Sequence, residues 1–400
     1  MRQKLLIFFG IFLLLEFYVF KAVKIYLKKT LHRRIYWGAS LLLYIIIVFL
    51  AFSSRTDYPD QIKFQWIMTI GLGLIVPKFF IALFLLIDDI FRVGQFSINI
   101  ITKKRKHLPT RRKFLHIMGI GLAGVFSGLI FDGIIWGKYR HRVRRVRLNL
   151  KNLPKAFKGY KIIQISDVHS GSFSNPKKLQ KAIDLINKQN ADLVLFTGDM
   201  VNYRAEEFVP FIPLFASIKA KDGKYSVLGN HDYGGYYYKN QEEIEKNIHN
   251  LICYEAQAGF RNLRNEHFFI EKNNERLYII GVENWGLPPF PQLGDLDKAT
   301  EGIPSSATKI LMSHDPTHFD EVVKKHPSDI ALTLSGHTHG MQFGLDLKNI
   351  KWSPIQYKYP KWADLYESFG KYLYVNRGFG VLAFPGRVGI DPEITLFELY

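Results

Sequence analysis

Five short polar islands, each set directly after a short apolar run, constrain this chain more than any other feature. They are Asp167-Val168-His169, Gly198-Asp199, Gly229-Asn230-His231-Asp232, Ser313-His314-Asp315 and Gly336-His337-Thr338-His339-Gly340. The runs 161–166, 192–197, 224–228, 276–281, 309–312 and 330–334 are β-branched or aromatic and end at turn-forming residues or polar clusters, which predicts strands. Helical spacing falls between them at 176–189, 242–250 and 316–325, the last opening with Pro316, a residue suited to the first turn of a helix. This alternation predicts an α/β fold in layers, with chemistry gathered at the carboxyl ends of the strands, where every island falls.

The residue types in the islands point to metal. Two divalent ions about 3.5–4 Å apart repel each other and need a bridging anion. Asp199, at a strand end, is suited to supply it. Asp167 and His169 can face one ion if the chain there is extended, since alternate residues then share a face, and His337 and His339 repeat the spacing with two imidazoles. Asn230 offers a neutral amide oxygen, and His314 a further imidazole. Oxygen and nitrogen ligands without sulfur suit Mn, Fe or Zn and do not choose among them.

The ordered set of islands resembles the calcineurin-like metallophosphoesterase superfamily, in particular its bacterial membrane-anchored branch. The resemblance covers about 160–400 and includes the closing Asn376-Arg377-Gly378-Phe379-Gly380, Arg387 and Pro392-Glu393-Ile394-Thr395. It implies a four-layer αββα sandwich and two metal ions per chain. By the same resemblance Asp167, His169, Asp199 and His339 would hold the first ion, and Asp199, Asn230, His314 and His337 the second. His231 would stand beside them as the catalytic group that protonates the leaving alkoxide. A hydroxide bridging both ions would attack phosphorus in line, metal binding having lowered the water pKa towards ~7. One departure stands out: many members carry an acid shortly after the bridging aspartate, where this chain has Asn202.

Other polar residues have structural readings beside the functional ones. Asp232 can orient His231 or cap the following turn; Asp315 can start the helix opened by Pro316; His318 reads as a solvated or helix-face residue. Arg377 can clamp a substrate phosphate through its planar fork or serve a structural ion pair. The stretch 341–370, rich in Trp and Tyr, reads as an excursion that packs, roofs the site or rests at a bilayer interface. The single cysteine, Cys253, excludes an intramolecular disulfide and reads as a small core residue.

Charge divides the chain. Residues 1–150 hold 25 Lys/Arg against 6 Asp/Glu, and residues 151–400 hold 29 of each, so the whole net charge of +19 lies in the first part. A nucleic-acid enzyme would carry its basic surface on the catalytic part, so no nucleic-acid partner is expected. Four apolar runs, 5–20, 36–52, 64–87 and 114–136, predict about four transmembrane helices within 1–137, followed by a basic juxtamembrane linker at 138–159 and the catalytic domain at 160–400. Glu16 weakens the first run, Lys78 in the third must snorkel or face other helices, and Gly124 with Gly128 in the fourth permits close helix contact.

Lysine and arginine concentrate in the first and third loops, which the positive-inside rule places in the cytoplasm. This predicts an integral membrane protein, in a bacterial cytoplasmic membrane, with the catalytic domain on the extracytoplasmic side. The stretch 110–115 also resembles a twin-arginine export signal, which implies the same orientation. The expected function is a metal-dependent phosphoesterase acting on a phosphomonoester, phosphodiester or pyrophosphate. The short tether favours a lipid-linked substrate beside membrane lipids as partners. The alternative is a membrane sensor or scaffold that binds metal or phosphate without turnover.

Overall fold

In the computed structural model, residues 2–53, 61–102, 109–348 and 350–400 are described, and they fall into two compact units divided near residue 133. Helices α1 (Arg2–Val23), α2 (Thr30–Ser53), α3 (Gln61–Thr102) and α4 (Pro109–Ile135) contain the four predicted apolar runs, except that Trp136 lies just past the end of α4. Among the described residues, Thr30–Leu50, Lys63–Ile101 and Lys113–Tyr139 are long and apolar enough to cross a membrane. At ~1.5 Å per residue the 42 residues of α3 exceed the ~30 Å hydrocarbon core, so α3 runs on well past the predicted end at Ile87. Lys103, Lys104, Arg105 and Lys106, on which part of the orientation argument rests, lie outside the described residues, as does Arg55.

The two charges inside the apolar runs find each other. Lys78 Nζ lies 2.5 Å from Glu16 Oε2, both side chains buried, while Ser40 and Tyr44 donate to the same carboxylate at 3.0 and 2.9 Å. Of the two expectations for Lys78, burial between helices is the one observed. A glycine expectation changes: among the described residues, a side chain at Gly124 or Gly128 would meet nothing within 4 Å, whereas one at Gly119 would press on Phe84 at 3.1 Å. The close approach is made by a neighbouring turn of the same helix.

The second unit carries two six-stranded sheets. In chain order the strands are β1 (Arg142–Leu148), β2 (Lys161–Ile165), β3 (Leu193–Phe196), β4 (Lys224–Ser226), β5 (Phe260–Asn262), β6 (Glu266–Lys272), β7 (Glu275–Gly281), β8 (Thr308–Met312), β9 (Leu332–Ser335), β10 (Leu345–Leu347), β11 (Ile350–Trp352), β12 (Asp364–Ser368), β13 (Lys371–Val375) and β14 (Glu393–Leu399). One sheet runs β1-β14-β2-β3-β4-β5 and the other β12-β13-β9-β8-β7-β6, while β10 and β11 form a separate ribbon. Helices α5 (Gln180–Asn187), α6 (Ile212–Ala216) and α7 (Gln241–Gln257) cover the first sheet; α8 (Leu296–Thr300) and α9 (Thr317–Glu321) cover the second.

Alternation along the strands builds the layers. In β2 and β3, Ile162, Leu193 and Leu195 face the second sheet's Ile279, Ile310 and Leu332, while Ile163, Ile165, Val194 and Phe196 pack on the helices with Ile183 and Leu251. Both faces are buried, so β3 reads as an unbroken apolar run and β2 as one interrupted only by Gln164, whose amide donates to Thr197 and the Ser335 carbonyl. The mixed α/β architecture is the expected four-layer sandwich. Residues 142–148, inside the stretch expected to be a linker, instead form β1, paired in parallel with β14 from Arg142↔Glu393 to Leu148↔Leu399. Its four arginines sit at a sheet edge, where charge is tolerated and discourages further pairing. Cys253 also departs from expectation: it lies exposed on α7.

Candidate metal centre

All five islands follow strand ends, three from the first sheet (β2, β3, β4) and two from the second (β8, β9), so the site forms where the sheets meet. Tight turns aim the side chains. Asp167, His169, Asp199, His337 and His339 have φ of 54°, 47°, 61°, 71° and 51°, in the left-handed region that L-residues rarely adopt. The expected extended Asp-x-His geometry is therefore absent. Backbone bonds from Asp167 N–H to Gly198 O (2.8 Å) and from His169 N–H to Asp199 O (3.1 Å) hold the turns instead. Such strain persists only where surrounding contacts enforce it, and it gathers at functional sites.

Two clusters result. In the first, His339 Nε2 lies 3.3 Å from Asp167 Oδ1 and 3.0 Å from His169 Nε2. In the second, His314 Nε2 lies 3.3 Å from His337 Nδ1, which also faces Asn230 Oδ1 at 2.9 Å. Asp199 stands between them, its Oδ2 3.5 Å from His169 Nε2 and 3.2 Å from His314 Nε2. Asp167, His169 and His339 offer three ligand atoms within 4.8 Å of one another, as do Asp199, His314 and His337. The donor set, all oxygen and imidazole nitrogen, fits a pair of borderline divalent cations.

Outer contacts fix ring orientation. His314 Nδ1 bonds the Thr197 carbonyl at 2.7 Å, so Nε2 is turned inward; His337 is reversed, offering Nδ1 to the cluster and placing Nε2 2.9 Å from the Tyr359 hydroxyl and 3.4 Å from Asp315 Oδ2. Metal-binding histidines typically show such back-side partners. His231 bonds the Asn202 carbonyl through Nδ1 at 2.7 Å, and its ring lies edge-on to that of His169, centroids 4.9 Å apart. The main chain therefore orients His231, and the amide of Asn202 is turned to Ser172.

Electrostatics follow from burial and charge. Burial disfavours the charged form of His314, yet Asp199, with Asp167 behind it, lifts the imidazole to about 10. Burial likewise opposes ionisation of Asp199, but His314 and His231 hold it well below the usual carboxylate range. Burial pushes His169, His231 and His337 down, towards the neutral form that binds metal or accepts a proton. These are carboxylates seeking cations.

Arg377 is elsewhere employed. Its fully buried guanidinium donates to Asp364 at 2.7 and 2.6 Å and to Glu393 at 2.9 Å, with Asp346 at 3.0 Å from Nε. Three carboxylates consume its fork, so the expected contact with a substrate phosphate gives way to the structural ion pair. Of the two readings of His318, the helix-face one is observed: it lies buried on α9, bonded to Ser313 at 2.8 Å. Sequence reasoning missed Tyr359, which comes from the aromatic excursion, and Arg387, which donates to the Gly378 and Gly380 carbonyls and lies 3.5 Å from His339 Nδ1. Arg387 lay within the closing motif, but nothing in its spacing announced the contact. Asp232 neither orients His231 nor caps a turn; it accepts N–H groups from the loop that carries Asp199.

A two-sheet sandwich with paired His/Asp clusters at its strand ends defines a metallophosphoesterase. Residues 160–341 match the family described as "Calcineurin-like phosphoesterase", and residues 1–138 match "Probable Calcineurin-like phosphoesterase, transmembrane domain". The metallophosphoesterase YkuE of Bacillus subtilis is 30% identical over 301 residues, spanning 72% of this chain and 97% of that protein. A metallophosphoesterase of Helicobacter pylori strain J99 is 26% identical over 78% of each chain. A transmembrane protein with metallophosphoesterase domain from Danio rerio is 27% identical over 66% of this chain, which spans 58% of that protein's length. The chain belongs to the calcineurin-like metallophosphoesterase family and is an integral membrane protein.

Proposed function

We propose that this chain is a membrane-anchored, dinuclear-metal phosphoesterase that hydrolyses a lipid-linked phosphoester or pyrophosphate. The observation that carries this reading is the position of Asp199 Oδ2, one carboxylate oxygen facing both His169 and His314. Asp167, His169 and His339 would hold one ion and Asn230, His314 and His337 the other, with Asp199 facing both groups. When bound, the ions supply an activated water and a positive field over the phosphate oxygens. The Asn202 carbonyl occupies Nδ1 of His231, which leaves Nε2 to carry a proton to the departing oxygen.

The lipid assignment is supported by how the last span ends. The carbonyl of Gly133 accepts the Arg387 N–H at 3.1 Å, and the guanidinium of the same arginine lies 3.5 Å from His339 Nδ1. One residue thus separates the end of α4 from the first cluster. The basic first loop, with Lys21, Lys24, Lys28, Lys29, Arg33 and Arg34, supports a catalytic domain outside a bacterial cytoplasmic membrane.

The test uses the full chain in detergent. Metal analysis is expected to return two ions per chain, with metal-dependent hydrolysis of an aryl phosphodiester that is abolished in Asp199→Ala and His231→Ala. A membrane lipid extract is expected to release phosphate faster than soluble nucleotides do. Bound metal without turnover in the parent chain would make it a scaffold, and preference for soluble nucleotides would remove the lipid assignment. Labelling of an engineered catalytic-domain cysteine only from the cytoplasmic face, in a Cys253→Ser background, would reverse the orientation.

A further inference from the structure

The ribbon of β10 and β11 has two unlike faces. Its cross-strand pairs are Leu345↔Trp352, Asp346↔Lys351 and Leu347↔Ile350, and directly opposed residues of a ribbon share a face. One face therefore carries Leu345, Leu347, Ile350 and Trp352, which are 50%, 60%, 55% and 36% exposed. Asp346 and Lys351 occupy the other. There Asp346 pairs with Arg144 of β1 and with Arg377, and Lys351 donates to the Ala363 carbonyl at 2.7 Å and to Asp364 at 3.1 Å. The ion pairs thus lock the ribbon with its apolar face outward. An isolated two-stranded ribbon is marginal in water, and four contiguous exposed apolar side chains require a cover.

A short path of backbone bonds says what covers them. Gly344, the residue before β10, donates to the Val388 carbonyl at 3.0 Å, and the neighbouring Arg387 donates to the Gly133 carbonyl in the last turn of α4 at 3.1 Å. A Cβ at Gly386 would meet Gly133 O and Ile134 Cα at 2.9 Å, so the loop lies tight against that turn. The same turn belongs to the candidate span Lys113–Tyr139 and leads to Trp136, itself exposed. The ribbon is therefore stapled, through residues 386–388, to the last turn of the helix that carries this candidate span. Trp352 on its apolar face and Lys348 at its tip match the amphipathic pattern of interfacial elements.

We infer that the β10–β11 ribbon inserts its apolar face into the interfacial region of the bilayer that α4 spans, and so fixes the catalytic unit at the lipid surface. Leu345, Leu347, Ile350 and Trp352 meet acyl chains, and Lys348 meets lipid phosphates. This inference rests on the membrane anchor and not on turnover, so it stands or falls apart from the proposed substrate.

The experiment places a nitroxide on single cysteines in the full chain, in a Cys253→Ser background, reconstituted in phosphatidylethanolamine–phosphatidylglycerol vesicles. Leu347→Cys and Ile350→Cys are read separately, so that failure of one to fold leaves the other, and Glu271→Cys on β6 serves as the aqueous reference. The ratio of oxygen to water-soluble nickel-chelate collision is expected to be several-fold higher at 347 and 350 than at 271. A ratio equal to that at 271 would overturn the inference. So would dipolar broadening that grows with the protein-to-lipid ratio, which would assign the face to a second copy of the chain.

Discussion

Asp232 Oδ2 accepts the backbone N–H of Asp199 at 2.7 Å and that of Gly229 at 2.9 Å, while its Oδ1 accepts Met200 and Val201 at 2.8 and 3.2 Å. Burial and the nearby Asp199 push its carboxyl pKa up, and the N–H donors act against them. The geometry sides with the carboxylate, since both oxygens are filled by donors and neither has room for a proton. Asp232→Asn would turn an amide donor against these N–H groups. The variant is expected to lose roughly 2–4 kcal/mol of stability and to bind fewer than two ions. Thermal denaturation and metal analysis of the same preparation check both.

The second cluster depends on a partner behind it. With Nδ1 of His337 turned to Asn230 and His314, Nε2 faces Asp315 and Tyr359. Asp315→Asn keeps an oxygen to accept from Thr317, which Asp315 Oδ1 now does at 2.8 Å, but places an amide near Nε2. Affinity for one of the two ions is expected to fall about 10- to 100-fold, with the other unchanged. Stepwise metal titration distinguishes this from a general loss of folding, which would weaken both.

Glu255 gives a pH signature away from the metals. Burial raises its carboxyl from 4.5 to about 7, against hydrogen bonds from Ser226 and Asn262. A raised folded-state pKa means the protonated form is favoured on folding. Its contribution is complete below about 4.5 and is lost as pH rises through about 7. Glu255→Gln is expected to abolish this slope and to exceed the parent by up to ~3 kcal/mol above pH 8. Denaturation midpoints in detergent from pH 4 to 9 test it; parallel curves for the two proteins would refute it.

The Glu16–Lys78 pair predicts coupling within the helical unit. Lys78→Met leaves Glu16 as an uncompensated buried charge and is expected to cost ~3–5 kcal/mol, whereas Glu16→Gln with Lys78→Met is expected to recover most of that. Melting of the detergent-solubilised variants measures the coupling. Equal losses in the single and double variants would mean that the pair is not the source.

The sequence revealed the centre of the molecule better than its edges, for a physical reason. Strands β2, β3, β8 and β9 are buried on both faces, so their composition is distinctive, and the ligands stand at fixed places just after them. β1 was hidden because its exposed edge carries Arg142, Arg144, Arg145 and Arg147, which read as a basic linker. β13 and β14 carry no ligand and were not predicted as strands, although the closing motifs at 376–380 and 392–395 lie directly after β13 and at the start of β14. Arg377 could be read two ways because the fork that suits a phosphate suits carboxylates equally; only the placement of Asp364 and Glu393 decides. The left-handed ligand residues were not legible either: aspartate and histidine enter that region more readily than most residues, yet far more often adopt ordinary conformations.

The central place of β14 has a consequence for biosynthesis. It lies between β1 and β2, strands that precede it by more than two hundred residues, and it bonds both. As the polypeptide emerges from the ribosome, β1 and β2 must wait with their facing edges open until residues 393–399 arrive. The helices before them will by then have entered the membrane, so the nascent chain passes through a stage in which it is anchored but unfinished, with bare strand edges. Premature stop codons even a few positions before β14 would trap it there.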